Sequence, residues 1–189
     1  MGAGGAEKKS GGLILEADEM WSFVGSRREV WWVWVALDAE TRQVVAMMVG
    51  DRSEFTARCL WEAVPEEYRD GATVYTDFWA AYRAVMPGGR HVACGKGDGL
   101  TNNVERFWCT VRQRCGRFVR KTLSFSKCDS NHIGALWYFI RHYNASLRKG
   151  HYRRERACSS TSRCSTTVSG ATRRWAIGPR SSTNEPDNP

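Results

Sequence analysis

The stretch LILEADEMWSFV, residues 13–24, decides how the fold is read, because it sets three acids inside an apolar run. Its aliphatic and aromatic residues are typical of a strand. Side chains alternate along a strand, so Glu16 and Asp18 share one face and Glu19 points to the other. A half-exposed strand also tolerates acids, but the apolar runs nearby indicate a covered sheet and favour a functional Asp18, with Glu16 and Glu19 as weaker candidates.

Two further apolar runs, VWWVWVALD (30–38) and QVVAMMVG (43–50), follow this stretch and predict an antiparallel three-strand meander. After the meander, helical and strand patterns alternate, beginning with a helix for which Ser53 is the expected N-cap. The predicted elements are a helix over 53–64, a strand over 72–77, a helix over 78–86, a strand over 90–95, a helix over 102–119 and a last helix over 132–147.

This succession predicts an α/β fold of the ribonuclease H-like type, with a mixed five-stranded sheet and an additional C-terminal helix. We expect the folded domain to occupy residues 13–150. Residues 1–12 are Gly-rich and polar, which predicts a flexible leader. Residues 151–189 are basic and Ser/Thr-rich without a sustained apolar period, which predicts a disordered tail.

The charge of the chain indicates a polyanionic partner. Its 189 residues carry 28 Lys and Arg against 20 Asp and Glu, a net charge of +8. No apolar run reaches the roughly 18 residues of a membrane span, and the N-terminus lacks the apolar segment of a signal peptide. We therefore expect a cytoplasmic, nucleoid-associated protein without a membrane partner. Seven cysteines without a CxxC pair predict reduced thiols and disfavour a zinc site.

Asp77 ends a short apolar strand and directly precedes a helix. Open α/β sheets place ligands at the carboxyl ends of strands, but aspartate is also a favoured helix N-cap, so both interpretations remain open. In the predicted sheet the first strand lies beside the strand that ends at Asp77, so Asp18 and Asp77 are expected to meet. Two adjacent carboxylates repel unless a divalent cation neutralises them, which suggests a metal site.

Glu105 lies near the start of the helix predicted over 102–119. With Asn102 as the N-cap, Glu105 occupies the acidic position of an approximate capping box, so local structure alone can explain it. Arg112, seven residues on, returns to nearly the same helix face. An acid and an arginine two turns apart could serve a metal and a DNA phosphate together.

Basic residues are interleaved with aromatic residues from position 106 to position 127, and the stretch contains no acid. A solvated helix face with core aromatics would explain several of them. An uninterrupted basic stretch beside an acidic site also matches a surface that follows a phosphate backbone. The candidate DNA-binding residues are Arg106, Arg112, Arg114, Arg117, Arg120, Lys121 and Lys127.

Three segments together resemble the catalytic protein of the insertion sequence 1 type of bacterial and archaeal transposase. They are LEADEMWSFVGS (15–26), VYTDFWAAYRAVMP (74–87) and NNVERFWCTVRQRCGRFVRKTLSFSK (102–127). The family shows an acid-x-acid before a WSFVG-like segment, an [ST]D-x-W-x-x-Y segment, and an IER-like segment that runs into an RKT-x-x-FS ending. The resemblance covers residues 13–147 and implies a DDE transposase, which cleaves DNA at insertion-sequence ends and joins it to target DNA.

By position, the resemblance implies that Asp18, Asp77 and Glu105 are the catalytic acids, that they hold two Mg²⁺ (or Mn²⁺) ions, and that Arg112 assists them. The implied partners are the terminal inverted repeats and target DNA. Because two element ends must be joined, a homodimer is expected in the active complex. The end-recognition module of the family lies upstream, so this chain would be the catalytic half, working with an upstream DNA-binding partner or fusion.

Two alternatives remain open. A ribonuclease H-like nuclease or resolvase would cut DNA without joining it, and a catalytically dead domain would only bind nucleic acid.

Overall fold

A mixed sheet flanked by helices organises the chain, and the computed structural model describes residues 12–95, 97–158 and 176–177. The strands are β1 (Ile14–Val24), β2 (Ser26–Asp38), β3 (Val44–Gly50), β4 (Thr73–Thr76), β5 (His91–Ala93) and β6 (Ala176–Ile177). The helices are α1 (Glu54–Ala63), α2 (Glu66–Gly71), α3 (Ala80–Val85), α4 (Asn102–Arg114) and α5 (Asp129–Cys158), with a 3-10 turn at Gly116–Phe118.

The strand order is β5-β4-β1-β2-β3-β6. β1, β2 and β3 form the predicted antiparallel meander, while β4 runs parallel to β1 and β5 parallel to β4. These five strands confirm the predicted α/β, ribonuclease H-like sheet. The short β6 pairs in parallel with β3 and adds a sixth strand that the sequence pattern did not predict.

Helices cover both faces of the sheet, as the apolar strands predicted. On one face, here called the α1 face, α1 and α3 pack over a core that includes Leu15 and Trp34. On the other, the α4 face, α4 and α5 pack over a core that includes Met20, Val33 and Val35. Full burial of such a side chain contributes roughly 1.5 to 3 kcal/mol. Consecutive residues of β1 therefore enter different cores.

The start of α1 agrees with the sequence prediction. Ser53 is the N-cap, and its side-chain oxygen accepts the backbone N–H of Thr56 at 3.3 Å. Ala57 and Leu60, about one turn apart on the helix, are buried. A second short helix, α2, follows Pro65 and was not predicted.

The helix predicted over 102–119 is too long, because α4 ends at Arg114. Cys115 is extended, with φ of −125° and ψ of 94°, and Gly116 begins the 3-10 turn. The predicted N-cap is also wrong. Thr101, not Asn102, is the N-cap, so Glu105 is the fourth helical residue and does not complete a capping box.

α5 continues to Cys158, beyond the helix predicted over 132–147 and past the predicted domain boundary at 150. Residues 148–156 are rich in Arg, Lys and Glu, which are good helix formers, so the helix extends without an apolar stripe. The leader predicted over 1–12 lies almost wholly outside the described residues, as do 159–175 and 178–189 of the predicted tail. Among helices of the described ranges, none is both long and apolar enough to cross a membrane.

Candidate active site at the open edge of the first strand

The ladder between β1 and β4 is short, and it leaves the second half of β1 without this neighbour. The last pair of the ladder joins Glu16 to Tyr75, and β4 ends at Thr76. Continued in the same parallel register, Asp77 stands at the level of Asp18. Side chains from both faces of β1 can therefore reach the same edge.

Three carboxylates meet at this edge. Asp18, Glu19 and Asp77 each offer an oxygen atom, and these oxygens all lie within 4.8 Å of one another. The structure thus brings together Asp18 and Asp77, as strand order predicted, and adds Glu19. A set of oxygen ligands at this spacing suits a hard divalent cation such as Mg²⁺.

The environment of Asp18 disfavours its ionised carboxylate, and a bound cation would stabilise that form. Burial raises its pKa to about 7, and the neighbouring charges of Glu19 and Asp77 add to this shift. The indole of Trp108 on α4 opposes the shift, although its buried Nε1 makes no hydrogen bond of normal geometry within the described residues. The negative charges of the three acids therefore repel one another, and the surrounding side chains do not fully neutralise them.

Glu19 is fixed by two side chains of the α1 face. Arg52 donates to Oε1 from Nη2 at 2.6 Å and from Nε at 2.9 Å, and the hydroxyl of Tyr82 donates to Oε2 at 2.9 Å. The Arg52 guanidinium lies over the rings of Trp32 at 4.5 Å and Trp79 at 3.9 Å. Burial raises the pKa of Glu19, and the hydrogen bond from Arg52 opposes this. Both oxygens of Glu19 thus keep a set orientation.

Asp77 also takes part in a local turn. Its Oδ1 accepts the backbone N–H of Trp79 at 2.9 Å, while the N-cap of α3 is Trp79 itself, without a side-chain bond. The helix-cap alternative for Asp77 is therefore not what the structure shows. The turn instead fixes the aspartate at the end of β4.

Glu16 does not join the three carboxylates, because it caps α4. Its Oε2 accepts the backbone N–H groups of Asn103 at 2.8 Å and Val104 at 2.9 Å, and its Oε1 accepts the side-chain amide of Asn103 at 2.6 Å. These N–H groups have no partner inside the helix, and a negative charge at a helix N-terminus is stabilising. Glu16 is fully buried, and it fixes α4 against β1.

Glu105 and Arg112 lie on α4 about one turn before and one turn after Trp108. Glu105 is outside the group of three carboxylates in the described part of the chain. Burial, and then the charges of nearby acids, with Asp98 and Glu16 before Asp77 and Glu105, raises the pKa of the Cys94 thiol. The buried Nε of Arg112 has no hydrogen-bond partner among the described residues.

The basic stretch divides between two places. Its first part lies on α4, which covers the α4 face, and its second part follows the 3-10 turn and reaches a cleft beside Trp21 and Trp32. Arg112 is half-buried, and the other candidates are exposed. On α4 are Arg106, Arg112 and Arg114; Arg117 is in the 3-10 turn; Arg120 and Lys121 line the cleft; and Lys127 precedes α5.

Comparisons with known proteins agree with this architecture. A family model described as IS1 transposase matches residues 12–145. The chain is 35% identical over 128 residues to the insertion element iso-IS1n protein InsB of Shigella dysenteriae, covering 68% of this chain and 94% of that protein. It is 32% identical over 133 residues to the insertion element IS1 protein InsB of Shigella sonnei, covering 69% and 98%. Since the matched region contains the five predicted strands, the carboxylate edge and part of α5, the chain belongs to the IS1 transposase family.

Proposed function

We propose that this chain catalyses the DNA cleavage and strand-transfer steps of insertion-sequence transposition, with the edge of β1 as its active site. The observation that carries the proposal is the group of Asp18, Glu19 and Asp77, whose oxygens lie within 4.8 Å of one another. The family of the chain supplies the reaction class. A resemblance of fold alone would not identify the reaction class.

The donor set fits the Mg²⁺ or Mn²⁺ expected of a DDE enzyme. All three ligands are carboxylates, and a bound cation would offset the burial and the charges of Glu19 and Asp77 that raise the pKa of Asp18 to about 7. When bound, such ions activate the attacking hydroxyl and stabilise the leaving 3′ oxygen. Asp18 and Asp77 would hold them. Glu19 meets this pair at the open edge. Glu105 lies on α4, which packs over the other face of the sheet, so it is the second candidate for the remaining carboxylate.

The two chemical steps need no nucleophile from the protein. In the first, a water oxygen attacks the phosphorus at the element end, the bond from phosphorus to the 3′ oxygen breaks, and a 3′-hydroxyl strand is released. In the second, this 3′-hydroxyl attacks a target phosphodiester, forms a new bond to phosphorus and releases a target 3′-hydroxyl. The protein positions the strands, and its carboxylates place charge where the oxygens react.

Arg112 is assigned to the phosphate beside the carboxylates. It lies two turns from Glu105 on one face of α4, and its Nε is free to donate. The exposed cations of α4 and of residues 115–127 are assigned to the DNA backbone, where they position rather than specify. Recognition of the terminal inverted repeats then falls to a further DNA-binding segment or partner, and pairing of two ends to a homodimer.

The test is a cleavage and joining assay with a labelled duplex that carries an element end, a target plasmid and Mg²⁺ or Mn²⁺. We expect joined product from the unmodified chain. We expect a loss of roughly a hundredfold or more in Asp18→Asn and Asp77→Asn, the order seen when a group that stabilises transition-state charge is removed. Glu62→Gln, an exposed acid on α1, is the matched control and should keep full activity.

Comparison of Glu19→Gln with Glu105→Gln identifies the remaining catalytic carboxylate, because only its loss should reduce cleavage as strongly as Asp77→Asn. Cleavage without joining would make the chain a nuclease or resolvase. DNA binding without any turnover would make it a binding domain. Undiminished cleavage by Asp77→Asn would refute the site.

A further inference from the structure

A cleft of about 480 Å³ opens near the carboxylate edge, and its aromatic residues have no role in the proposed function. It is lined by Trp21, Arg27, Trp32, Arg120 and Lys121, so its walls are two aromatic rings and three cations, with no acid among them. The cleft is broad and open to solvent, so it suits an extended chain better than an enclosed small molecule. Its chemistry selects a ligand with both flat apolar surfaces and negative charge.

The aromatic floor of the cleft is built by strand register. Trp21 on β1 and Trp32 on β2 are direct partners across the antiparallel ladder, so their side chains lie next to each other on one face. Both are half-buried, which leaves part of each indole accessible. The ring centroid of Trp21 lies 5.5 Å from that of Phe23, and Phe23 lies 5.4 Å from Phe125, so a row of rings continues from the floor toward the segment that follows the 3-10 turn.

The cations come from two separate segments that the backbone ties together. Arg27 follows the hairpin turn at Gly25, whose φ of 72° suits glycine. The backbone N–H of Gly25 donates to the carbonyl of Ser126 at 2.8 Å, and Val24 forms a parallel bridge with Ser126. These links hold the segment that carries Arg120 and Lys121 against the hairpin. All three cations are exposed and converge on the aromatic floor.

The cleft adjoins the carboxylate edge. Trp21 is two residues beyond Glu19 on the same face of β1, a distance of roughly 7 Å along the strand. Trp32 lies under the guanidinium of Arg52, and Arg52 holds Glu19. A DNA strand with its scissile phosphate at the carboxylates would therefore place its neighbouring nucleotides at the cleft.

We infer that this cleft seats unpaired nucleotides of the DNA strand beside the cleavage site, an inference that rests on the proposed function. Bases stack on aromatic side chains whatever their sequence, but only when they are not already stacked and paired in a duplex. The three cations meet the phosphates of the same nucleotides. A neutral apolar partner would leave these cations without a role.

The test measures the affinity of the full chain for two labelled DNAs of equal sequence, one a blunt duplex and one with several unpaired nucleotides at the cleavage site. Trp21→Ala should weaken binding of the unpaired DNA by roughly tenfold and leave the blunt duplex unchanged, since stacking is lost only where bases are free. Trp21→Phe should retain most of the affinity. Trp137→Ala removes a tryptophan that lies beneath Arg141 on α5, outside the cleft, and should change neither.

A second variant acts on surface residues only. Arg120→Ser combined with Lys121→Ser should weaken binding of the unpaired DNA and reduce the salt dependence of that binding, whereas Arg148→Ser, an exposed cation on α5, should have a smaller effect. This pair decides the question should Trp21→Ala fail to fold.

Equal losses for the two DNAs, or no loss in either set of variants, would overturn the inference. Its failure is distinct from failure of the proposed function. Cleavage by the unmodified chain without any effect of Trp21 on the unpaired DNA would refute the cleft and keep the enzyme. A preference for the unpaired DNA that depends on Trp21, in a chain that does not cleave DNA, would support the cleft and refute the proposed enzyme activity.

Discussion

The carboxylate of Glu16 on β1 accepts the backbone N–H of Val104 on α4 at 2.9 Å, across 88 positions of sequence. The strand that carries Asp18 thus also caps the helix that carries Glu105 and Arg112. One buried carboxylate sets the position of this helix relative to the open edge of β1. The arrangement makes Glu16 a structural residue whose loss should be felt at the active site.

Glu16→Ala should lower the free energy of unfolding by roughly 2 to 4 kcal/mol, because it leaves helix N–H groups buried without an acceptor. Glu16→Gln keeps one acceptor oxygen and should cost about half as much. Urea unfolding measures both, and Glu62→Ala on the exposed surface of α1 is the control. DNA cleavage should fall with the displacement of α4. A Glu16→Ala protein as stable as the unmodified chain would show that the cap is unimportant.

Arg52→Ala should destabilise the metal-free protein by about 2 to 3 kcal/mol, because Glu19 would remain buried beside two other acids without its counter-charge. Added Mn²⁺ should restore more stability to this variant than to the unmodified chain, since the cation replaces the lost positive charge. Thermal unfolding with and without Mn²⁺ gives both values.

Arg58→Ala is the matched control for Arg52→Ala. Arg58 pairs with Glu54 at 2.8 Å on the surface, where both side chains are about half exposed, and such pairs contribute less than about 1 kcal/mol. The Glu19 side chain, by contrast, is only 2% exposed. Equal effects of the two substitutions would contradict the assigned role of Arg52.

Asp18→Asn should stabilise the metal-free protein at pH 8 by about 2 to 4 kcal/mol. Burial raises the pKa of Asp18 from 3.8 to about 7, so the folded protein keeps a proton that the unfolded chain loses, and stability falls as the pH rises toward and through 7. Asparagine carries no charge and avoids this loss. Urea unfolding in EDTA measures the difference, with Asp70→Asn as the exposed control.

Mn²⁺ reverses the order in that experiment, because it should stabilise the unmodified chain and leave Asp18→Asn almost unchanged. An Asp18→Asn protein that is less stable than the unmodified chain at pH 8 would show that the ionised Asp18 carboxylate does not destabilise the folded protein.

His132 should make the protein less stable in acid. It is fully buried, with Nε2 at 3.0 Å from the Ser22 hydroxyl and Nδ1 at 3.2 Å from the Ser126 hydroxyl, and burial lowers its pKa from 6.5 to about 4. Between pH 6.5 and 4, His132 is therefore protonated in the unfolded chain and neutral in the folded protein. This contribution is complete above pH 6.5 and is lost as the pH falls.

Between pH 7.5 and 5 the loss attributed to His132 should be about 2 kcal/mol. It is measured in the Asp18→Asn background, because Asp18 changes stability in the opposite direction over this range. His132→Asn should remove this part of the pH dependence, and His142→Asn, an exposed histidine on α5, should not. Identical pH dependence with and without His132 would disprove the assignment.

The local pattern of apolar and polar residues predicted most of the fold, because buried and exposed positions follow the period of each strand or helix. The apolar runs that became β1, β2 and β3 have alternating acids or short turns that mark their faces and ends, and Ser53 marks the start of α1. The errors occur where local pattern is weak. The end of α4 depends on an extended Cys115 before Gly116, and β6 has only two residues, too few for a period to be recognised.

The candidate site was predictable only in part. Strand order was enough to bring Asp18 and Asp77 together. Glu16 and Glu19 both ranked below Asp18. Alternation sends Glu19 to the opposite face of β1, and only the end of β4 at Thr76 lets both faces reach one edge. Its partners Arg52 and Tyr82 lie 33 and 63 positions away, a distance at which no local signal exists. The catalytic role of Glu105 stays a prediction.

The bridge between Val24 and Ser126 has a consequence for how DNA can cross the molecule. β2 occupies one side of β1 along its length, so both β4 and Ser126 must lie on the other, at the levels of Glu16 and Val24. Between these two levels the edge of β1 has no neighbouring strand in the described part of the chain, which leaves a gap in the sheet, here called the window. The cations of α4 lie on one side of this window and the aromatic cleft on the other. The three carboxylates lie at this free edge of β1, so bound DNA can reach them only along the edge and not through the covered faces of the sheet.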